Sequence, residues 1–228
     1  MTARQTLKTK LDRLRQQSRQ TGQVRLSTSA VTMWAEAAIH FLLAGILSGA
    51  VLLEDCAPFG VALVGAAGSG LYGGTALLGS CFGYLSLLGF SQGLRRASAA
   101  ILTFAVAFAF YDWKALRRPW VMPIVAGGIS AFAGAIVLSQ TGWSPSEGAH
   151  FALEIALTVV ATWSFRAVLL PMRSSREGRM LSPERRAGLL FLMAGVLCAL
   201  AGIEVYGGIT LGGCLGVLVV LCVSWQGG

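Results

Sequence analysis

Charge is what this 228-residue chain has least of: Asp, Glu, Lys and Arg make up 12% of it. Six stretches, residues 37–53, 56–94, 97–111, 119–146, 187–203 and 205–228, contain none of the four. Carboxylates are especially scarce. The three aspartates, Asp12, Asp55 and Asp112, lie far apart, so no cluster can hold two metals for phosphoryl transfer. There are two histidines, and a Ser–His–Asp arrangement would have to reach across lipid. No C-x-x-C pair occurs, and four of the five cysteines (Cys81, Cys198, Cys214, Cys222) fall inside apolar blocks, as small hydrophobes do. Cys56 alone sits in an acidic loop, after Glu54 and Asp55, where an aqueous thiol reagent is expected to reach it. No enzyme constellation remains.

What the chain does have is apolar length. Hydrophobic residues make up 55% and the mean hydropathy is +0.68, well outside soluble usage. Crossing a bilayer takes about 20 mostly apolar residues, and a soluble helix would show a polar face that residues 121–138 and 189–200 lack. The expected fold is therefore all-α, a polytopic transmembrane helical bundle of about eight short, glycine-rich spans arranged largely as hairpins. The spans are placed at 33–53, 58–71, 75–90, 96–111, 119–138, 149–170, 187–203 and 205–223.

Charge decides the second and third spans, with the turn between them placed at Gly73-Gly74. Two crossings put sixteen of the eighteen Lys and Arg on one side, in the N-terminal tail, residues 112–118 and residues 166–186. One crossing would divide them evenly, against the positive-inside rule. Both termini are then cytoplasmic, and only Arg95 and Arg96 fall outside. The fourth block has 15 uncharged residues, about 22 Å of helix, so Arg95, Arg96 and Lys114 would have to snorkel. All six tryptophans fall near span ends, as an interfacial belt requires. Pro58, Pro119 and Pro123 sit at span starts, and Ser182-Pro183-Glu184 reads as a helix start before the seventh span.

Residues 1–32 form a basic cytoplasmic tail and 33–228 the membrane domain. The tail carries Arg4, Lys8, Lys10, Arg13, Arg15, Arg19 and Arg25 against Asp12, with Leu7, Leu11 and Leu14 on one helical face. It reads either as a helix on anionic lipid or as a solvated tail that fixes topology. The positive charge flanks apolar blocks without aromatic interleaving, which excludes nucleic acid as a partner.

Glycine recurs every four residues at Gly45/Gly49, Gly79/Gly83 and Gly208/Gly212/Gly216, a spacing that lets helix backbones approach in lipid. The run Gly65-Ala-Ala-Gly68-Ser-Gly70 lacks the Lys-Ser/Thr of a phosphate loop. Glu36/His40 and His150/Glu154 are four residues apart within spans, each pair on one helix face. Ionisable residues in spans are candidates for a proton relay or metal site. The topology sets the two pairs at opposite ends, short of a four-ligand zinc shell, and leaves them as locally paired residues that seat the helices.

Two stretches carry a resemblance. Residues 45–62 (GILSGAVLLEDCAPFGVA) resemble the first hairpin of the membrane region of the stage II sporulation protein E family, with its glycine-rich run, short loop and Pro-Phe. Residues 199–212 (ALAGIEVYGGITLG) and 218–228 (LVVLCVSWQGG) resemble a later hairpin, and the spacing of the spans between also fits. The family often has an Arg after the glycine matching Gly49, where this chain has Ala50, so no role of that Arg carries over. The resemblance implies the cell membrane, and the sporulation septum, of an endospore-forming bacterium. In that family the membrane region precedes a cytoplasmic segment that self-associates and contacts the tubulin-like division protein. A PP2C-type serine/threonine phosphatase follows, which activates the first forespore sigma factor. The expected function is thus a membrane-anchoring and assembly module, partnered by the bilayer, by copies of itself and, through the family's cytoplasmic part, by the division machinery. No cofactor is expected in this chain, since manganese or magnesium belongs to the phosphatase. The sequence is expected to be a fragment, truncated at Gly227-Gly228. The competing reading is a small transporter or channel subunit, favoured by Glu36, His40 and Glu154 and by a hairpin at 58–90 short enough to be re-entrant.

Overall fold

The computed structural model describes residues 28–52, 56–114, 118–141, 144–172, 182–206 and 209–227. The basic tail before residue 28, Glu54-Asp55 and Gly208 lie outside them. Two units divide the chain, residues 1–36 and 37–228. The first holds the described start of one helix, with Trp34 and Glu36 exposed. All else belongs to the second.

The described residues form eight helices: α1 (Thr28–Ser48), α2 (Phe59–Ala67), α3 (Leu71–Leu87), α4 (Phe90–Ala109), α5 (Val121–Thr141), α6 (Pro145–Met172), α7 (Pro183–Ala201) and α8 (Leu211–Gly227). Between the last two lies an antiparallel pair of short strands, β1 (Glu204–Tyr206) and β2 (Ile209–Thr210), with Glu204 opposite Thr210. Among the described residues the fold is all-α apart from these five and an isolated Leu52–Cys56 bridge. Among the described residues three helices are long and apolar enough to cross a bilayer, over Ala30–Ser48, Val121–Ser139 and Ser146–Leu169. The expected start of α7 is found, with Ser182 as cap accepting from the Arg185 amide at 3.4 Å.

The expected 58–71 span is corrected to α2, nine residues long and so rising about 13 Å. The turn expected at Gly73-Gly74 is also corrected. It lies at Gly68-Ser69-Gly70, where φ is 73° and 93° at the two glycines, left-handed backbone that glycine adopts without a steric penalty. Gly73 and Gly74 lie inside α3. A Cβ at Gly73 would collide with the Gly68 carbonyl, so that glycine is there for close approach.

All nine residues of α2 are buried, and it packs against α3, α4, α5 and α6. A helix apolar all round is stable only inside such a cluster. Tyr84 of α3, fully buried, fixes its entry: the hydroxyl donates to the Ala57 carbonyl (2.9 Å) and accepts from the Val61 amide (3.0 Å). Ser80 donates to the Gly60 carbonyl at 3.2 Å. The Val61 amide is one of the donors that a helix start leaves open. Phe59, Phe165 and Phe191 join α2, α6 and α7 through tilted and edge-on rings.

α1 and α3 run parallel in direct backbone contact. A Cβ at Gly79 would enter the Phe41 carbonyl, one at Gly83 the Gly45 carbonyl, and one at Gly49 would lie 2.6 Å from Leu87 Cδ1. Gly45 itself faces the Gly79 carbonyl at ordinary contact distance. Gly212 of α8 meets the backbone of Leu197 and Ala201 of α7, whereas Gly216 faces open space. Outside, Phe82, Phe90, Phe132, Leu190 and Val220 are each more than 60% exposed. So many large bare hydrophobics are ordinary only against lipid or a partner.

The connections between helices sort into two ends. Cys56, Ser91 and Glu147 line one cavity, while Val51, Leu88 and Ile203 line one groove, so the α1–α2, α3–α4, α5–α6 and α7–α8 connections share an end. Pro119, Arg166 and Ser182 meet at the other.

Candidate functional site

Gly89, with φ 76°, turns the chain from α3 into α4 six residues earlier than expected. Arg95 and Arg96 therefore lie inside the helix. Gly93, Arg96, Ala97, Ala100, Thr103 and Ala107 are buried at helical spacing and form one small-residue face. That face lies tight on α3, since a Cβ at Gly93 would press on the Tyr84 carbonyl. Arg96 is the single charge in it, with a side chain only 4% exposed.

Its counter-charge comes from α6. Arg96 Nε donates to Glu154 Oε1 at 3.4 Å, and Arg95 Nη2 lies 3.7 Å from Oε2, so each carboxylate oxygen faces one guanidinium. Arg96 Nη1 also donates to Gln92 Oε1 at 3.4 Å, while Nη2 is buried with no hydrogen-bond partner among the described residues. The expectation that these arginines snorkel outward is thereby corrected: they turn inward to share one carboxylate. Two guanidiniums about one carboxylate tie α4 to α6.

Beside this triad lies a cavity of about 390 Å³, lined by Cys56, Gln92, Arg95, Glu147, His150 and Glu154 among others. His150 and Glu154 thus face the same space, but the partners of Glu154 come from α4, 58 residues away in sequence. The Cys56 thiol donates to the His150 carbonyl at 3.4 Å and is 1% exposed. Its expected accessibility to aqueous reagent is corrected, because the Leu52–Cys56 bridge folds it inward. His40, on α1, has its ring 5.1 Å from that of Tyr72 of α3, tilted by 35°. Among the described residues no three His, Cys, Asp or Glu converge to hold a metal. From the sequence, Arg95 and Arg96 count as outer charges that snorkel from the fourth span; the signal that turns Arg96 inward is the run of Gly93, Arg96, Ala97 and Ala100 at i, i+3, i+4 and i+7.

A family model described as SpoIIE, N-terminal domain, matches residues 1–228. No curated protein and no solved structure matches the chain.

Proposed function

The chain belongs to the SpoIIE N-terminal domain family, and from that premise we propose that it is the membrane-anchoring and assembly module of a sporulation phosphatase acting at the asymmetric septum. Only that domain is identified in this chain, with no catalytic phosphatase domain. The observation that carries the reading is the family match over the whole chain. Helices long enough to cross a bilayer and bare aromatic surfaces support it. The module spans residues 33–228 after a basic tail and crosses eight times with both termini cytoplasmic. Parallel α1 and α3 favour this count, because the chain between them has to return through α2 and its glycine turn. The end shared by Pro119, Arg166 and Ser182 is the cytoplasmic one, since residues 112–118 and 166–186 hold nine of the chain's basic residues. Arg95 and Arg96, at the outer end, are neutralised in part by Glu154.

Fused to a fluorophore in a sporulating host, the chain should concentrate at the asymmetric septum without any phosphatase attached. Even distribution around the whole membrane would refute the assembly role. The transporter reading draws on the cavity beside Glu154. Solute flux in proteoliposomes, abolished by Glu154→Gln, would favour it over anchoring.

A further inference from the structure

The cavity beside the triad, lined from α4, α5 and α6, holds charge of opposite sign at its two ends. At the Glu154 end, the Arg95 side chain makes one contact of 3.7 Å and no hydrogen bond among the described residues. Arg96 Nη2, behind the same wall, is buried and has no hydrogen-bond partner there. The two guanidiniums thus carry more N–H donors than Glu154 and Gln92 engage. At the other end Glu147 is exposed in the first turn of α6 and makes no ion pair among the described residues. Two carboxylates match two guanidiniums in number, but their placement leaves one end positive and the other negative. Glu147 and Glu154 lie seven residues apart on one face, about 10 Å along the helix.

We infer that this cavity binds a zwitterion, and that the zwitterion is a short peptide of two or three residues with free termini. The peptide carboxylate pairs with Arg95, whose planar fork suits a carboxylate, and the ammonium group pairs with Glu147. An extended chain covers about 3.3–3.6 Å per residue, so a tripeptide spans the gap and a single amino acid falls short. Between the ends, Ser91 and His150 offer hydrogen-bonding side chains to the peptide amides, and Val137, Leu138 and Phe151 form an apolar wall for one side chain. The volume of about 390 Å³ is that of a small-ligand site. A simple anion fits worse because Glu147 repels it, and a simple cation because Arg95 does. The site does not depend on gathering at a septum, so the anchoring role and the peptide site stand or fall separately.

The test titrates the whole chain in detergent micelles with alanyl-leucyl-alanine by calorimetry, thermal unfolding confirming that each variant is folded. Wild type should bind, and acetylating the peptide's amine or amidating its carboxylate should each weaken binding about tenfold. Arg95→Gln should weaken the free peptide by about the same factor and no longer tell it from the amidated one. Glu147→Gln should likewise no longer tell the free peptide from the acetylated one. Arg118→Gln, the same charge change at an exposed position beside Pro119 at the opposite end, should bind as wild type does. Equal weakening in Arg118→Gln and Arg95→Gln would mean a general charge effect and would overturn the site. No binding by folded wild type at millimolar peptide, or equal affinity for the free and doubly blocked peptides, would overturn the zwitterion. Alanine alone binding as tightly as the tripeptide would overturn the peptide in favour of a single amino acid.

Discussion

Alanine in place of Gly79 is expected to destabilise the folded bundle by about 2–3 kcal/mol, while alanine at Gly74 in the same helix should stabilise it by about 0.5–1 kcal/mol. The signs differ because the surroundings do. A Cβ at Gly79 meets the Phe41 carbonyl, and backbone cannot rotate away as a side chain can. A Cβ at Gly74 has nothing within 4 Å and only restricts the unfolded chain. In lipid, helices hold together through such close packing rather than through water exclusion, so forcing α1 from α3 removes what binds them. Gly83→Ala should behave as Gly79→Ala does, since it meets the Gly45 carbonyl. Unfolding in mixed micelles measures all three. Equal shifts at Gly74 and Gly79 would remove the backbone contact between α1 and α3 from the account.

The second large effect is expected at the shared carboxylate. Glu154→Gln leaves Arg96 buried without a counter-charge, a loss of about 3–5 kcal/mol. Arg96→Met removes a partner but leaves Glu154 with Arg95, which is more exposed, and should cost less. Arg95→Gln, at the solvated edge of the triad, should cost under about 1 kcal/mol. The double variant Arg96→Met, Glu154→Gln should recover much of the Glu154→Gln loss, because no buried charge is then left alone. Simple additivity in that cycle would show that the two side chains do not interact.

Much of the helical frame was legible in the sequence. Uncharged blocks marked the helices, and Ser182-Pro183-Glu184 marked the start of α7 within a residue. Pro58 likewise lies immediately before α2. What escaped has physical reasons. Four glycines crowd residues 68–74, and composition cannot say which take left-handed backbone and which face another helix. Gly68 and Gly70 do the first and Gly73 the second. The charge rule treats a basic residue beside an apolar block as a loop residue, so it cannot foresee that Arg96 turns towards a helix 58 residues on. Local spacing pairs Glu154 with His150, yet across the bundle two guanidiniums reach its carboxylate. Cys56 follows two acidic residues, and nothing local shows that its backbone bridges back to Leu52 and tucks the thiol under α6.

The central claim is that these helices cross a membrane with the two sets of connections on opposite sides. Sided cysteine labelling tests it most directly, in a chain whose five native cysteines are replaced by alanine. Ser91 and Arg186 are both exposed, one at the start of α4 and the other at the start of α7. A membrane-impermeant maleimide added to intact cells should label Ser91→Cys fully and Arg186→Cys only after permeabilisation. Labelling of both positions alike in intact cells would contradict the account.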